Sequence, residues 1–60
     1  MEKKTKQLVA GDMVKNVLNG KFYPLLSVTR WNADYVVKLD GTEDGCEYIA
    51  EYSTRHEVQA

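Results

Sequence analysis

The sequence predicts a small all-β domain, namely a five-stranded antiparallel barrel, and three observations support this. Short runs of alternating apolar and polar residues are separated by turn signals every 8–12 residues, which is typical of small barrels. The pair Asn19-Gly20 is a strong hairpin signal. No segment has the apolar periodicity of a long helix. Closure into a barrel is expected because open edges of a small sheet promote aggregation.

The first half of the chain predicts a tail, a turn and a hairpin. Residues 1–7 are polar and rich in lysine, so we expect a flexible basic tail followed by one domain at residues 8–60. Gly11-Asp12 predicts a turn, and residues 13–18 predict a strand. Asn19-Gly20 would join that strand to residues 21–31 through a type I′ turn.

The remaining residues predict a bent strand and three further elements. Pro24 lacks an amide hydrogen, so we expect a bulge or an outward-facing position there, with strong bending. Residues 34–40 and 46–52 alternate as strands. A 3₁₀ turn at residues 53–56 is expected to precede a closing strand at 57–59.

Composition limits the classes of protein to consider. The net charge is −1 and Cys46 is the only cysteine, which excludes an intrachain disulfide and indicates a reducing, cytoplasmic location. No apolar segment resembles a signal peptide or a membrane span. No Cys and His cluster has metal-ligand spacing, so neither a metal nor a cofactor is expected. A core of this size gives only marginal stability without a disulfide, a metal or self-association, so a homo-oligomer is one of the possibilities.

The chain resembles an SH3-like small barrel over roughly residues 8–59. The resemblance lies in Leu8-x-x-Gly-Asp-x-Val14, a bent strand ending at Trp31, the stretch from Tyr35 to Gly41, and Val58. KOW-type modules open in a similar way and are the nearest group. Plasmid-type dihydrofolate reductases also resemble this barrel, but their Val-Gln-Ile-Tyr segment is not present here.

The resemblance and the residues together predict a non-enzymatic module or adaptor that binds a macromolecule, with a protein as the preferred partner. Short single-domain chains of this kind are common in phages and mobile elements, where they act on host machinery. Aromatic residues and arginine are favoured at interfaces. The predicted contact set is Tyr23, Arg30, Trp31 and Tyr52, with Asp40, Glu43 and Asp44 of an acidic loop.

Two alternatives remain open. The first is a nucleic-acid-binding barrel that uses a basic and aromatic stripe, formed by Lys15, Lys21, Arg30, Trp31 and Lys38. The second is an oligomeric enzyme in which Glu47 or Tyr48 from each subunit meets at a symmetry axis. Each set also has a plainer interpretation: the charged residues as ordinary solvated surface, and Trp31 as a cap on the core. No catalytic constellation is apparent, since His56 is the only histidine and has no nucleophile at a known spacing.

Overall fold

The computed structural model describes residues 1–59 and contains one antiparallel sheet of six strands. In chain order these are β1 (Glu2–Lys4), β2 (Met13–Lys15), β3 (Phe22–Trp31), β4 (Asp34–Leu39), β5 (Glu47–Ala50) and β6 (Arg55–Gln59). Their order in the sheet is β1-β6-β2-β3-β4-β5, so β1 and β5 form its two edges. The prediction of an all-β antiparallel domain is confirmed. The count of five strands is wrong, and the sheet formed by the described residues is not closed.

The N-terminal residues differ from the predicted tail. β1 pairs with β6 in the register Lys3↔His56, and the 3₁₀ turn of the described chain lies at Thr5–Gln7. The Lys3 ammonium donates to both carboxylate oxygens of Asp12 at 3.0 Å. Backbone pairing and ion pairs, of which Lys3 with Asp12 is the least exposed, therefore hold a segment whose polar side chains gave no strand pattern. The 3₁₀ turn expected at residues 53–56 is absent from the described structure, since β6 begins at Arg55.

The first hairpin has a longer loop than Asn19-Gly20 predicted. β2 ends at Lys15, and the Asn16 amide donates to the Lys21 carbonyl at 2.7 Å. Gly20 has φ +77°, whereas Asn19 is not among the residues with positive φ. A type I′ turn requires positive φ at both positions. The two-residue turn is therefore replaced by the four-residue loop 17–20.

β3 is long enough to pair with two strands, and a bulge separates the two pairings. Residues 22–24 pair with β2, and residues 25–31 pair with β4. The register shifts between Leu25 and Ser27, one residue beyond the proline at which bending was expected. Pro24 itself pairs with Met13 and is exposed. The extra residue, Leu26, has no partner in β4, as is usual for a bulge, and its side chain is exposed.

The core is small and lies on the concave side of the sheet. The buried apolar residues are eight: Leu8, Val14, Leu25, Val37, Leu39, Cys46, Ala50 and Val58. Tyr23, Val28 and Tyr48 are partly buried and pack against them. Thr5, Asn16 and His56 are also buried. Because buried polar groups cost free energy unless they are hydrogen-bonded, these three residues must be held by specific partners.

Candidate binding surface

The convex side of β3, β4 and β5 is the candidate binding surface, and we call it the outer face. Val28, Val37 and Tyr48 lie in register and point to the core. Their neighbours along each strand point the opposite way, because side chains alternate across a strand. These neighbours include the register Thr29↔Val36↔Ile49 and the pair Trp31↔Asp34.

Three residues of the outer face form an apolar patch. Trp31 is 59% exposed and Ile49 is 63% exposed. Val36 lies directly opposite Ile49 and diagonally across from Trp31, a separation within reach of aromatic side chains. We refer to Trp31, Val36 and Ile49 as the apolar patch. The interpretation of Trp31 as a core cap is wrong, since most of its surface is accessible to solvent.

The free edge of β5 borders this patch. No strand among residues 1–59 pairs with the side of β5 that faces away from β4. Glu47 and Glu51 are exposed on either side of Ile49. An unpaired edge beside apolar side chains offers both backbone hydrogen bonds and surface to bury.

The predicted protein-contact residues divide between the two ends of the sheet. One end, near the turn that joins β3 and β4, contains Arg30, Trp31 and Tyr52. There the Arg30 guanidinium lies 5.9 Å from the centre of the Tyr35 ring, and the Lys6 ammonium lies 5.6 Å from the centre of the Tyr52 ring. Tyr23 lies at the other end of β3, beyond the bulge, where it pairs with Val14 of β2. These residues therefore do not form one contact surface.

The acidic loop between β4 and β5 is held in part by hydrogen bonds to one of its own carboxylates, Glu43. The Tyr23 hydroxyl donates to Glu43 Oε2 at 2.9 Å, and the Thr42 amide donates to Glu43 Oε1 at 3.0 Å. The hydrogen bond from Tyr23 is the largest cause that lowers the pKa of Glu43. Asp40 and Asp44 are exposed. Glu43 is thus exposed like its neighbours but is also hydrogen-bonded within the fold, to Tyr23 and to its own loop.

The same loop lines a shallow cleft of about 420 Å³. Lys38, Thr42 and Glu47 are among its lining residues, with the buried Cys46 at its base. Among residues 1–59, no group of three His, Cys, Asp or Glu side chains could hold a metal ion. The described residues also include no helix long and apolar enough to cross a membrane.

The residues of the predicted nucleic-acid stripe are scattered. Arg30 pairs with Tyr35 on the concave side of the sheet, whereas Lys38 pairs with Ser27 and Glu47 on the outer face. Lys15 and Lys21 flank the first hairpin loop, at the opposite end of β3 from Trp31. The sheet therefore does not bring Lys15, Lys21, Arg30 and Lys38 onto one continuous surface with Trp31.

A buried polar chain links the N-terminal turn to β5 and β6. The Tyr48 hydroxyl lies 2.7 Å from His56 Nδ1, and Thr5 Oγ1 lies 2.7 Å from His56 Nε2. The Thr5 hydroxyl donates to the Thr54 carbonyl at 3.4 Å, so it accepts from Nε2–H while Nδ1 accepts from Tyr48. Burial raises the pKa of Tyr48 to about 12 and lowers that of His56.

This chain of hydrogen bonds contains a hydroxyl, an imidazole and a phenol, and its Thr5 end is buried. Thr5 is only 1% exposed, so no substrate can reach its hydroxyl. Tyr48 is partly buried with its hydroxyl hydrogen-bonded to His56, whereas Glu47, the other residue of the oligomeric-enzyme alternative, is exposed. His56 ends the segment predicted as a 3₁₀ turn, and in the structure it lies in β6 and links that strand to Thr5 and Tyr48.

Comparison of the chain with family models, with curated proteins and with solved structures finds no match. Functional inference therefore depends on the geometry of the described residues. Sequence reasoning missed Ile49 as a surface residue and Asn16 as a buried one. The flanking Glu47 and Glu51 were the available signal for Ile49, since an apolar residue between two carboxylates on one strand face marks a solvated face.

Proposed function

We propose that this protein is a non-enzymatic binding module that recognises a protein partner through its outer face. The apolar patch beside the free edge of β5 is the observation that carries the proposal. Monomeric proteins rarely leave contiguous apolar groups exposed beside an unpaired strand, because such surfaces associate with other chains.

The nature of the exposed groups favours a protein partner. Tryptophan is enriched where a protein surface is buried by another chain, and it often contributes a large share of the binding energy. The outer face carries Asp34 and Glu47 as well as Lys38, so it does not present the continuous positive charge that a polyanion requires. These features support protein binding over the nucleic-acid alternative.

An SH3-like architecture is part of the same proposal. The feature that supports it is β3, which is bulged after Leu25 and shared between β2 and β4. A strand that bends and pairs on both sides in this way brings the two halves of a small sheet over a common core. The short β2 after Gly11-Asp12 agrees with the opening of that architecture.

The test is panning of a random peptide library on the protein, with a matched pair of variants as the readout. Ile49→Asp places a charge in the apolar patch. Leu18→Asp makes a comparable change at a residue that is 69% exposed in the first hairpin loop. We expect selected peptides to lose at least tenfold in affinity for Ile49→Asp and to bind Leu18→Asp as tightly as the unchanged protein, in keeping with the cost of a buried unpaired charge.

Two results would contradict the proposal. The first is a set of selected peptides that bind both variants equally, which would place binding elsewhere. The second is an absence of any selected peptide together with salt-dependent binding of a short single-stranded oligonucleotide, which would favour the nucleic-acid alternative. Circular dichroism of both variants would show that each retains the β-sheet.

A further inference from the structure

The edge of β5 also indicates which kind of segment would bind there. We propose that β5 takes up an extended peptide as an additional strand, and that this peptide alternates basic, apolar and basic side chains opposite Glu47, Ile49 and Glu51. This inference rests on the proposed function and specifies its partner.

The backbone of β5 leaves two residues ready for strand addition. The Leu39 amide donates to the Cys46 carbonyl at 2.6 Å, which sets the phase of the ladder, while the Cys46 amide donates to the Glu43 carbonyl at 3.2 Å. Hydrogen-bonded and non-hydrogen-bonded pairs alternate in an antiparallel ladder. Glu47 and Ile49, which lie opposite Lys38 and Val36, therefore direct their amide and carbonyl groups to the free edge.

The edge ends sharply at Glu51. The Glu51 amide is not free to donate to an added strand, because it donates to Thr54 Oγ1 at 3.2 Å. The Glu51 carbonyl accepts from the Thr54 amide at 3.1 Å. A docked strand therefore has four backbone groups to pair with, on Glu47 and Ile49. Strand addition obtains affinity from such main-chain bonds and specificity from alternate side chains.

The side chains on this edge specify charge. Glu47 and Ile49 point to the outer face, and the exposed Glu51 continues that alternation one residue past the strand. None of the ion pairs within 4 Å among the described residues involves Glu47 or Glu51. Opposite charges directly across a strand pair are favourable and like charges are unfavourable. An added strand with lysine or arginine at both ends and an apolar residue between them fits this pattern.

A second copy of the chain fits the edge less well. Two antiparallel β5 strands can pair only in registers that place Glu47 and Ile49 in hydrogen-bonded positions. In one such register the Glu47 of each copy lies opposite the Glu51 of the other copy. In another register the two Glu47 residues lie opposite each other. In the third, Glu47 faces the apolar Ile49. Every register thus places the carboxylates of one copy opposite a carboxylate or an apolar side chain of the other, so we assign the edge to a basic segment of another protein.

The test uses three acetylated and amidated heptapeptides that differ only in charge. The basic peptide is Thr-Lys-Thr-Val-Thr-Lys-Thr, and the acidic and neutral peptides carry Glu or Gln in place of both lysines. Each is titrated into ¹⁵N-labelled protein. We expect the Glu47 and Ile49 amides to shift and to gain protection from solvent exchange, with the basic peptide binding about tenfold more tightly than the acidic one at low salt.

Two variants make the assignment specific. The double variant Glu47→Lys with Glu51→Lys should reverse the order and prefer the acidic peptide. Ile49→Pro removes one outward amide hydrogen without breaking a bond to β4 and should abolish binding, whereas Ile49→Ala keeps that hydrogen and should retain part of it. If Ile49→Pro does not fold, the charge-reversal variant still decides the question.

Each contrary outcome has a distinct meaning. Equal binding of the three peptides, or no reversal in the lysine variant, overturns the charge assignment but leaves the proposed function standing. No shift at Glu47 and Ile49 with any heptapeptide, while library peptides still depend on Ile49, overturns strand addition alone. Shifts of these amides with protein concentration in the absence of peptide would show that a second copy occupies the edge and would overturn the inference.

Discussion

Asn16 is the residue whose replacement should most clearly reveal how this small domain is held together. It is fully buried at the end of β2. Its Nδ2 donates to the Asp44 carbonyl at 2.8 Å, and its Oδ1 accepts from the Leu18 amide at 2.9 Å. A third, weaker contact joins Nδ2 to the Cys46 sulfur at 3.5 Å. One side chain thus ties the first hairpin loop to the loop between β4 and β5.

The cost of Asn16→Ala follows from these partners. Removal of the amide leaves the Leu18 N–H and the Asp44 carbonyl without their partner in a partly buried place. Each lost bond of this kind costs about 1–2 kcal/mol, so the total is about 3 kcal/mol. A core of this size supplies a net stability of only ~3–5 kcal/mol. The free energy of unfolding should therefore fall by more than half.

Thermal unfolding followed by circular dichroism measures this loss. For a domain of this length, about 3 kcal/mol lowers the Tm by roughly 10–25 °C. The matched control is Asn19→Ala, because Asn19 is exposed and makes its two side-chain bonds at the surface. We expect the control to cost less than about 1 kcal/mol. Equal shifts in Tm for the two variants would refute the assignment of Asn16 as the central polar tie.

Three further predictions concern other parts of the fold. Gly45→Ala should destabilise the protein by about 1–3 kcal/mol in urea unfolding, because φ is +93° and an added Cβ would collide with Asn16 Oδ1; a change below 0.5 kcal/mol, the usual effect of a surface substitution, would contradict this reason. Burial lowers the pKa of His56 from its ordinary value of 6.5, so the unfolded chain takes up the proton first as the pH falls. The contribution of His56 to the free energy of unfolding should therefore be constant above about pH 6.5 and should fall below it, by at most about 1.4 kcal/mol per pH unit. His56→Gln should lack this dependence between about pH 6.5 and 5, and an unchanged slope in that variant would assign the pH dependence to another group. Deletion of residues 1–7 should lower the Tm measurably, since it removes β1 and the buried Thr5 hydroxyl from His56, and an unchanged Tm would instead agree with a flexible tail.

Much of the strand layout could be predicted from local pattern. Alternation of apolar residues located β4 and all of β5, since a strand with one buried face shows this pattern in its own sequence. β1 could not be found in this way. Its side chains are polar, and its order comes from backbone bonds to β6 and from the pair between Lys3 and Asp12, all of which depend on residues distant in the sequence.

The candidate surface required the register of the strands. The sequence singled out Trp31 but grouped it with Tyr23 and Arg30. In the structure Tyr23 lies at the far end of the bulged β3, and Arg30 lies on the concave side of the sheet. The bulge after Leu25 sets which residues of β3 share a face with β4, and a shift of one residue reverses every assignment.

The sequence by itself determined the class of structure: a small all-β domain without an intrachain disulfide and with turns at its glycines. These properties follow from local backbone preferences and from the alternation of side chains along each strand. Only the tertiary structure decided that Asn16 and His56 are buried and hydrogen-bonded, and that β5 is an edge beside Trp31. Burial and edge position depend on which strands become neighbours, which is set by contacts between residues that are far apart in the chain.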